Sequence, residues 1–240
     1  MLIIFTDGAA RGNPGPGGYG AVIVNKNEGT VVELGGREDE TTNNRMELKA
    51  ALESLRFISK TREPITLYTD SKYLVNGITK WIHGWRKRDW QTKNKTEVLN
   101  KDLWKELAKF NRDDIEWERL PGHSGLPGNE RADEIATRYA DKKDPGLYHG
   151  DLIEYPIDVL NVEIPEEVKE ARKEKKKRQN APAYSYISLV DGELCRHKMW
   201  PECEARVKGK KARFRKTISQ EDEIEIAAEW GFEPRDIKDC

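Results

Sequence analysis

Apolar positions fall first into short runs and then into helical stripes. Leu2-Ile3-Ile4-Phe5, leading into Thr6-Asp7-Gly8, reads as a buried strand with a carboxylate at its mouth. The glycine-rich residues 9–20 read as a turn into a second strand at 19–24, and 30–36 as a third, with 25–29 as a hairpin turn. Strands so closely spaced are antiparallel. Thr41-Thr42-Asn43-Asn44 supplies N-cap residues for a helix whose Leu48, Ala51, Leu52, Leu55 and Ile58 share one face, with Glu47 expected in its first turn. Residues 65–70 form a fourth strand that, like the first, ends in Thr-Asp. A right-handed strand–helix–strand connection would make the two strands parallel neighbours and set Asp7 and Asp70 at one sheet edge.

Further on, Trp81, Trp85 and Trp90 interleave with Lys80, Arg86, Lys87, Arg88, Lys93 and Lys95. Such a stretch suits a surface that lays cations along phosphates and rings against sugars or bases. It equally suits a helix whose tryptophans pack inward while its cations are solvated. Leu99, Leu103, Leu107 and Phe110 mark another amphipathic helix, and 115–120 a fifth strand. The loop 121–128 carries His123, and the helix from Asn129 turns Ala132, Ile135, Ala136, Tyr139 and Ala140 inward, with Asp133 expected in its first turn. From residue 144 the periodicity fails, and 165–178 is an acidic-then-basic run without an apolar stripe, the pattern of a charged linker. Order returns near Tyr184: a hairpin turning at Asp191-Gly192, a short helix opened by Pro201, a strand over 212–218 and a helix capped by Ser219 make a second, smaller α/β module. The organisation expected is thus 1–143, a linker 144–182, and 183–240.

Composition adds little except by distribution. At 240 residues the chain suffices for one full domain and a smaller one, and a net charge of −1 says nothing about partners. Three cysteines, Cys195, Cys203 and Cys240, match no metal-finger spacing and no even disulfide framework, so reduced thiols are expected. The apolar start is too short for a signal peptide or a membrane span, which points to a cytoplasmic protein.

Candidate chemistry lies in Asp7, Glu47, Asp70 and Asp133, acids from two strand ends and two helix starts. Converging without cations, they would repel. Divalent ions remove that conflict, and all-oxygen ligands select magnesium or manganese. Two such ions about 4 Å apart clamp an in-line phosphoryl displacement. His123 would then move protons or help eject product.

Residues 1–143 resemble a type 1 ribonuclease H. The match is carried by Phe5-Thr6-Asp7-Gly8, the run from Gly12 to Gly20, Thr42-Asn43-Asn44-Arg45-Met46-Glu47-Leu48, Thr69-Asp70-Ser71, Gly77-Ile78-Thr79-Lys80-Trp81-Ile82, Asp102-Leu103-Trp104, Gly122-His123-Ser124-Gly125 and Asn129-Glu130-Arg131-Ala132-Asp133. The resemblance implies an α/β fold with a five-stranded mixed sheet flanked by helices, and hydrolysis of the RNA strand of RNA–DNA hybrids with two Mg2+ ions, Mn2+ being an alternative. It makes Asp7, Glu47, Asp70 and Asp133 the metal-binding catalytic acids and His123 the loop histidine. It likewise makes residues 81–95, with Arg86, Lys87 and Arg88, a basic protrusion gripping the DNA strand, and has Trp81, Trp85 and Trp104 line its channel. Asn13, Thr42, Asn43 and Asn100 fall where relatives contact nucleic acid, and Lys72 stands where relatives commonly carry an RNA-contacting glutamine.

A second resemblance covers Tyr184 to about Trp230. Gly192, Trp200-Pro201-Glu202-Cys203, Val207-Lys208-Gly209 and Ala212-Arg213-Phe214-Arg215-Lys216 are similar to a hybrid-binding domain, also found in a caulimovirus inclusion-body protein. It implies duplex binding through Lys208, Arg213, Arg215 and Lys216, the partner being a hybrid or another duplex. A monomer is expected. A binding protein of the same fold that had lost catalysis would be expected to lack at least one of the acids, and all are present. A resolvase or transposase nuclease would not account for the Trp-rich protrusion.

Overall fold

The computed structural model describes residues 1–122, 124–163 and 166–240, apart from the side chains at 168, 171, 172, 175, 176 and 179. The chain divides into two units, Met1–Val168 and Lys169–Cys240. Among the described residues no helix is long and apolar enough to cross a membrane.

The first unit runs β1 (Leu2–Ala10), β2 (Gly15–Asn25), β3 (Thr30–Thr41), α1 (Asn43–Phe57), β4 (Ile65–Thr69), α2 (Lys72–Asn76), a π-helical turn (Gly77–Trp81), α3 (Ile82–Lys87), α4 (Lys101–Phe110), β5 (Ile115–Arg119), α5 (Pro127–Ala140) and β6 (His149–Asp151). The strands lie in the order β5-β4-β1-β2-β3-β6. β1, β2 and β3 pair antiparallel, while β1–β4 and β4–β5 are parallel. Alternation along β1 splits the interior in two: Ile4 joins Leu48, Leu52, Leu74 and Trp104 on one face, while Ile3 and Phe5 join Val22, Leu126 and Ile135 on the other.

Three expectations change. The five-stranded sheet gains a sixth strand, because β6 adds antiparallel to the β3 edge. It comes from the stretch expected to be linker, and that stretch also buries Tyr155 and Val159, 8% and 1% exposed, against the α5-side core. The loop-like composition of 144–162 therefore conceals irregular but packed chain. Third, neither Glu47 nor Asp133 lies in a first helical turn: α1 opens at Asn43 and α5 at Pro127, which puts both acids in second turns.

α6 (Glu166–Asn180) leads into the second unit, whose elements are β7 (Ser185–Val190), β8 (Glu193–His197), α7 (Trp200–Val207), β9 (Ala212–Thr217), α8 (Gln220–Glu229) and β10 (Lys238–Asp239). The sheet order is β10-β8-β7-β9. Cys203 and Val207 of α7 pack with Val190 on one face, and Ile226 and Ala227 of α8 with Ile187 and Leu194 on the other. Ser219 caps α8 by accepting the Asp222 N–H at 3.1 Å. The cysteines do not all stay reduced. β10 runs parallel beside β8 with Lys238 opposite Cys195, and Cys195 and Cys240 form a disulfide across a Cα–Cα distance of 5.7 Å, leaving Cys203 free and buried.

Candidate active site

β1 and β4 pair with Phe5 opposite Tyr68, an offset that brings Asp7, which lies inside β1 rather than at its end as expected, level with Asp70 just past the end of β4. On its other side Asp7 faces Gly20 of β2. Two missing side chains then set how near the helices come. A Cβ on Gly8 would lie 2.2 Å from the Glu47 backbone nitrogen, and one on Gly20 would lie 2.2 Å from the Ala132 carbonyl oxygen. Only bare backbone lets α1 and α5 close on the sheet beside Asp7, bringing Glu47 and Asp133 with them.

The electrostatics record this convergence. Burial, then the charges of Asp70, Asp133 and Glu47, push Asp7 from its ordinary 3.8 up to about 8, against the pull of the Gly8 N–H donating to Oδ1 at 2.6 Å. Burial also raises Glu47 from 4.5 to about 7, helped by Asp70 and opposed by two hydrogen bonds. Asn43 Nδ2 donates to Glu47 Oε1 at 3.0 Å, and the Ser71 hydroxyl donates to Oε2. Ser71 is buried and also caps α2, accepting the Leu74 N–H at 3.1 Å. Its role as a clamp between α1 and the end of β4 is not visible in the sequence, where no spacing links Ser71 to Glu47. The Asn43/Glu47 pair is signalled by its i,i+4 spacing.

A Cβ on Gly122 would lie 3.7 Å from Asp70 Oδ2, so the loop after β5 runs beside this carboxylate. His123 itself lies outside the described residues. Among those described, no three His, Cys, Asp or Glu side chains already stand as a metal-ligand cluster. The donor set nevertheless fits a hard divalent ion, since its members are carboxylates whose mutual repulsion and burial hold Asp7 and Glu47 toward their protonated forms.

The family model for RNase H matches residues 1–141. The chain belongs to the RNase H family. Over 142 residues it is 52% identical to the ribonuclease H of Alcanivorax borkumensis, covering 59% of this chain and 92% of that one. To the ribonuclease H of a Cyanothece species it is 48% identical over 145 residues, 60% of this chain and 92% of the relative. Among solved structures it is similar to LC9-RNase H1, described as a type 1 RNase H with the type 2 active-site motif, with a TM-score of 0.55 and 31% identity over 64% of this chain and 79% of that one. The first unit is thus that of a ribonuclease H, a hydrolase. The family match stops short of the second unit.

Around the acids of this RNase H unit, an open cavity of about 510 Å³ is lined by Asn44, Glu47, Asp70, Ser71, Lys72, Tyr73, Asn76 and Trp81. Trp81 is exposed at its rim, and its ring lies 5.7 Å from that of Trp85, which in turn lies 5.4 Å from Trp104. Trp104 does not line a channel. It is fully buried, seated against Gly77 where a Cβ would meet its ring at 2.1 Å, and its Nε1 donates to the Tyr73 hydroxyl at 3.0 Å. The aromatic stretch answers both readings left open by composition, since Trp85 and Trp90 pack partly buried against the core while Trp81 stands at the surface. Arg86, Lys87 and Arg88 are all exposed; Arg86 also donates to the Ala108 carbonyl at 2.9 Å and Arg88 Nε to the Gln91 carbonyl at 3.2 Å. Asn13 is exposed in the β1–β2 connection, and Thr42 caps α1 through the Arg45 N–H. Asn100 sits in the left-handed region at φ 60°, donating to the Tyr73 hydroxyl at 3.3 Å and accepting from Arg45 Nη1 at 3.4 Å.

In the second unit the four cations expected to act together separate. β9 pairs with β7 so that Phe214 faces Ser188 and Lys216 faces Tyr186, on the α7 side, whereas Arg213 and Arg215 face Leu189 and Ile187, on the α8 side. Arg215 is paired with Glu229 of α8 at 2.7 Å, and Lys216 Nζ donates to the Ala181 carbonyl at 2.7 Å. On the α7 side Trp200 bridges Tyr186 and Phe214, with ring separations of 5.7 and 5.5 Å. Trp200 and Phe214 are 37% and 50% exposed, which makes an open aromatic patch that cation counting alone does not reveal.

Proposed function

We propose that the chain is an endonuclease hydrolysing the RNA strand of RNA–DNA hybrids, with Asp7, Glu47, Asp70 and Asp133 holding two magnesium ions. The observation that carries this reading is the electrostatic coupling of Asp7 to the other three acids at the junction of β1, β4, α1 and α5. When bound, the ions would activate water and stabilise the leaving oxygen of an in-line displacement. The chain's own residues supply the frame. Ser71 and Asn43 orient the Glu47 carboxylate, leaving its remaining lone pairs for a ligand. Gly8 and Gly20 hold the backbones close enough for acids from two helices to meet. His123, the residue after Gly122 in the sequence, would receive or return a proton as product leaves.

Substrate positioning is assigned to the cavity rim. Asn44, Lys72 and Trp81 line it alongside Glu47 and Asp70. Thr42, Asn43, Asn13 and Asn100 would contact the backbone, and Lys87 and Arg88 the DNA phosphates. The second unit would bind duplex through the Tyr186–Trp200–Phe214 patch, with rings against sugars and Lys208, the residue that ends α7, for phosphate. We place the protein in the cytoplasm as a monomer.

The test is cleavage of labelled hybrid compared with single-stranded RNA, duplex RNA and duplex DNA, with Mg2+ and with chelator. Selective, chelator-sensitive cutting of the hybrid's RNA strand supports the reading; comparable cutting of duplex DNA sinks it.

A further inference from the structure

Arg131 of α5 directs its guanidinium away from solvent, its side chain only 11% exposed. Nε and Nη2 each donate at 2.8 Å to the two oxygens of Glu33 on β3, whose side chain is fully buried. The same Nη2 donates to the carbonyls of Pro145 and Gly146 at 2.9 and 3.1 Å. Glu33 is completed from the chain that follows α5: the Tyr155 hydroxyl donates to Oε1 at 2.5 Å and the Tyr148 N–H to Oε2 at 2.9 Å. Residues 145–155 thus close over a charged pair that fastens α5 to β3, and they lie outside the family match at 1–141.

From this geometry we infer that Arg131 is a positioning residue for Asp133, and that residues 145–155 are a working part of the catalytic unit because they hold Arg131 in place. The inference rests on the reading of Asp133 as a catalytic acid. Apolar packing and the close approach at Gly20 fix how far α5 stands from the sheet, but such contacts have little direction and tolerate sliding or rotation. A bidentate guanidinium–carboxylate pair does not, since both hydrogen bonds demand one plane and one distance. Asp133 lies two residues along the same rigid helix, so any slip at Arg131 is passed to it directly. Misplacement of a reacting group by about 1 Å can cost on the order of 100-fold in rate.

The experiment uses the full chain with Tyr155→Phe, Arg131→Lys and, in parallel, Asp133→Asn. Tyr155→Phe removes one donor at nearly constant volume, and Arg131→Lys keeps the charge but not the fork. Three quantities are read: kcat and KM on labelled hybrid, melting temperature in chelator, and the Mg2+ concentration giving half-maximal thermal stabilisation. Both positioning variants should lower kcat by about 10-fold and raise the Mg2+ midpoint several-fold, with KM within about twofold. A lower melting temperature with unchanged kcat and Mg2+ midpoint in Tyr155→Phe would overturn the inference and make the cluster merely structural, even if Arg131→Lys fails to fold. An unaltered Asp133→Asn enzyme would overturn the reading of Asp133 itself, a failure distinct from the first.

Discussion

Ser71 donates its hydroxyl proton to the Glu47 carboxylate while its oxygen accepts the Leu74 N–H in the first turn of α2 at 3.1 Å. One side chain therefore joins the end of β4, the start of α2 and the second turn of α1. Ser71→Ala should lower hybrid cleavage by about 10- to 100-fold through a loosened Glu47. It should also cost about 1 kcal/mol of stability through the lost cap. Single-turnover kinetics and chemical denaturation separate the two. Full activity with only the stability loss would restrict Ser71 to capping.

A pH dependence follows from Asp7 and Glu47. Both have folded-state values above their unfolded ones, about 8 against 3.8 and about 7 against 4.5. Below pH about 4 both states are protonated and no penalty exists. As pH rises, the unfolded chain releases its protons first, so stability is lost progressively between about 4 and 8. In chelator the melting temperature should fall across that window. Asp7→Asn should raise it at pH 8 by the equivalent of at least about 1 kcal/mol, and Mg2+ should reverse the trend in the unmodified protein by binding only the folded state. A chelated protein whose stability rose from pH 5 to 8, with no gain in Asp7→Asn, would remove the electrostatic account.

Much of this arrangement is legible in the sequence because it obeys local periodicity. The two Thr-Asp pairs do place Asp7 beside Asp70, although β1 runs on to Ala10 instead of ending there, and the apolar stripe of α1 fixes which face Glu47 adjoins. The α1 cap falls at Thr42, inside the run that suggests it, whereas α5 begins at Pro127, two residues before Asn129 and within an apparent loop. Tyr148, Tyr155 and Val159 are spaced seven and four apart, but Pro145 and Pro156 rule out a continuous helix there, so the irregular packing of 144–162 is not announced by periodicity. The Cys195–Cys240 pairing depends on a two-residue strand at a separation of 45 residues, beyond any spacing rule. The split of Arg213 and Arg215 from Phe214 and Lys216 is recoverable, because it is the plain period-two alternation of a strand.

Gly20→Ala probes the approach of α5. The added methyl would stand 2.2 Å from the Ala132 carbonyl and 2.8 Å from the Ile135 Cβ, neither able to swing aside. Overpacking of this kind costs about 1–3 kcal/mol, and the displaced helix should carry Asp133 outward and depress kcat more than KM. The comparison is Gly122→Ala, whose nearest neighbour would be Asp70 Oδ2 at 3.7 Å, an ordinary van der Waals separation. Its stability should be nearly unchanged. Equal denaturation midpoints for the two variants would show that α5 can retreat without cost.

Two truncations test how the chain divides its work. Ending after Lys143 removes β6, the two carbonyls on Arg131, and the buried Tyr155 and Val159. Each large apolar side chain withdrawn from the core is worth roughly 1.5–3 kcal/mol, so this fragment should be strongly destabilised. Ending after Glu163 keeps all of these and should leave a folded, chelator-sensitive nuclease. What it should lose is affinity. If the second unit engages duplex, its removal weakens hybrid binding and makes the dependence on salt shallower, by a slope of about 0.9 for each phosphate no longer neutralised on a B-form duplex. Trp200→Ala in the full chain should mimic the weaker affinity while leaving the salt slope nearly intact, because an aromatic ring against a sugar or base releases no counterions. Binding by the 1–163 fragment as tight as that of the full chain, with the same slope, would exclude the second unit from duplex recognition. A 1–143 fragment as stable as 1–163 would return the boundary to residue 143.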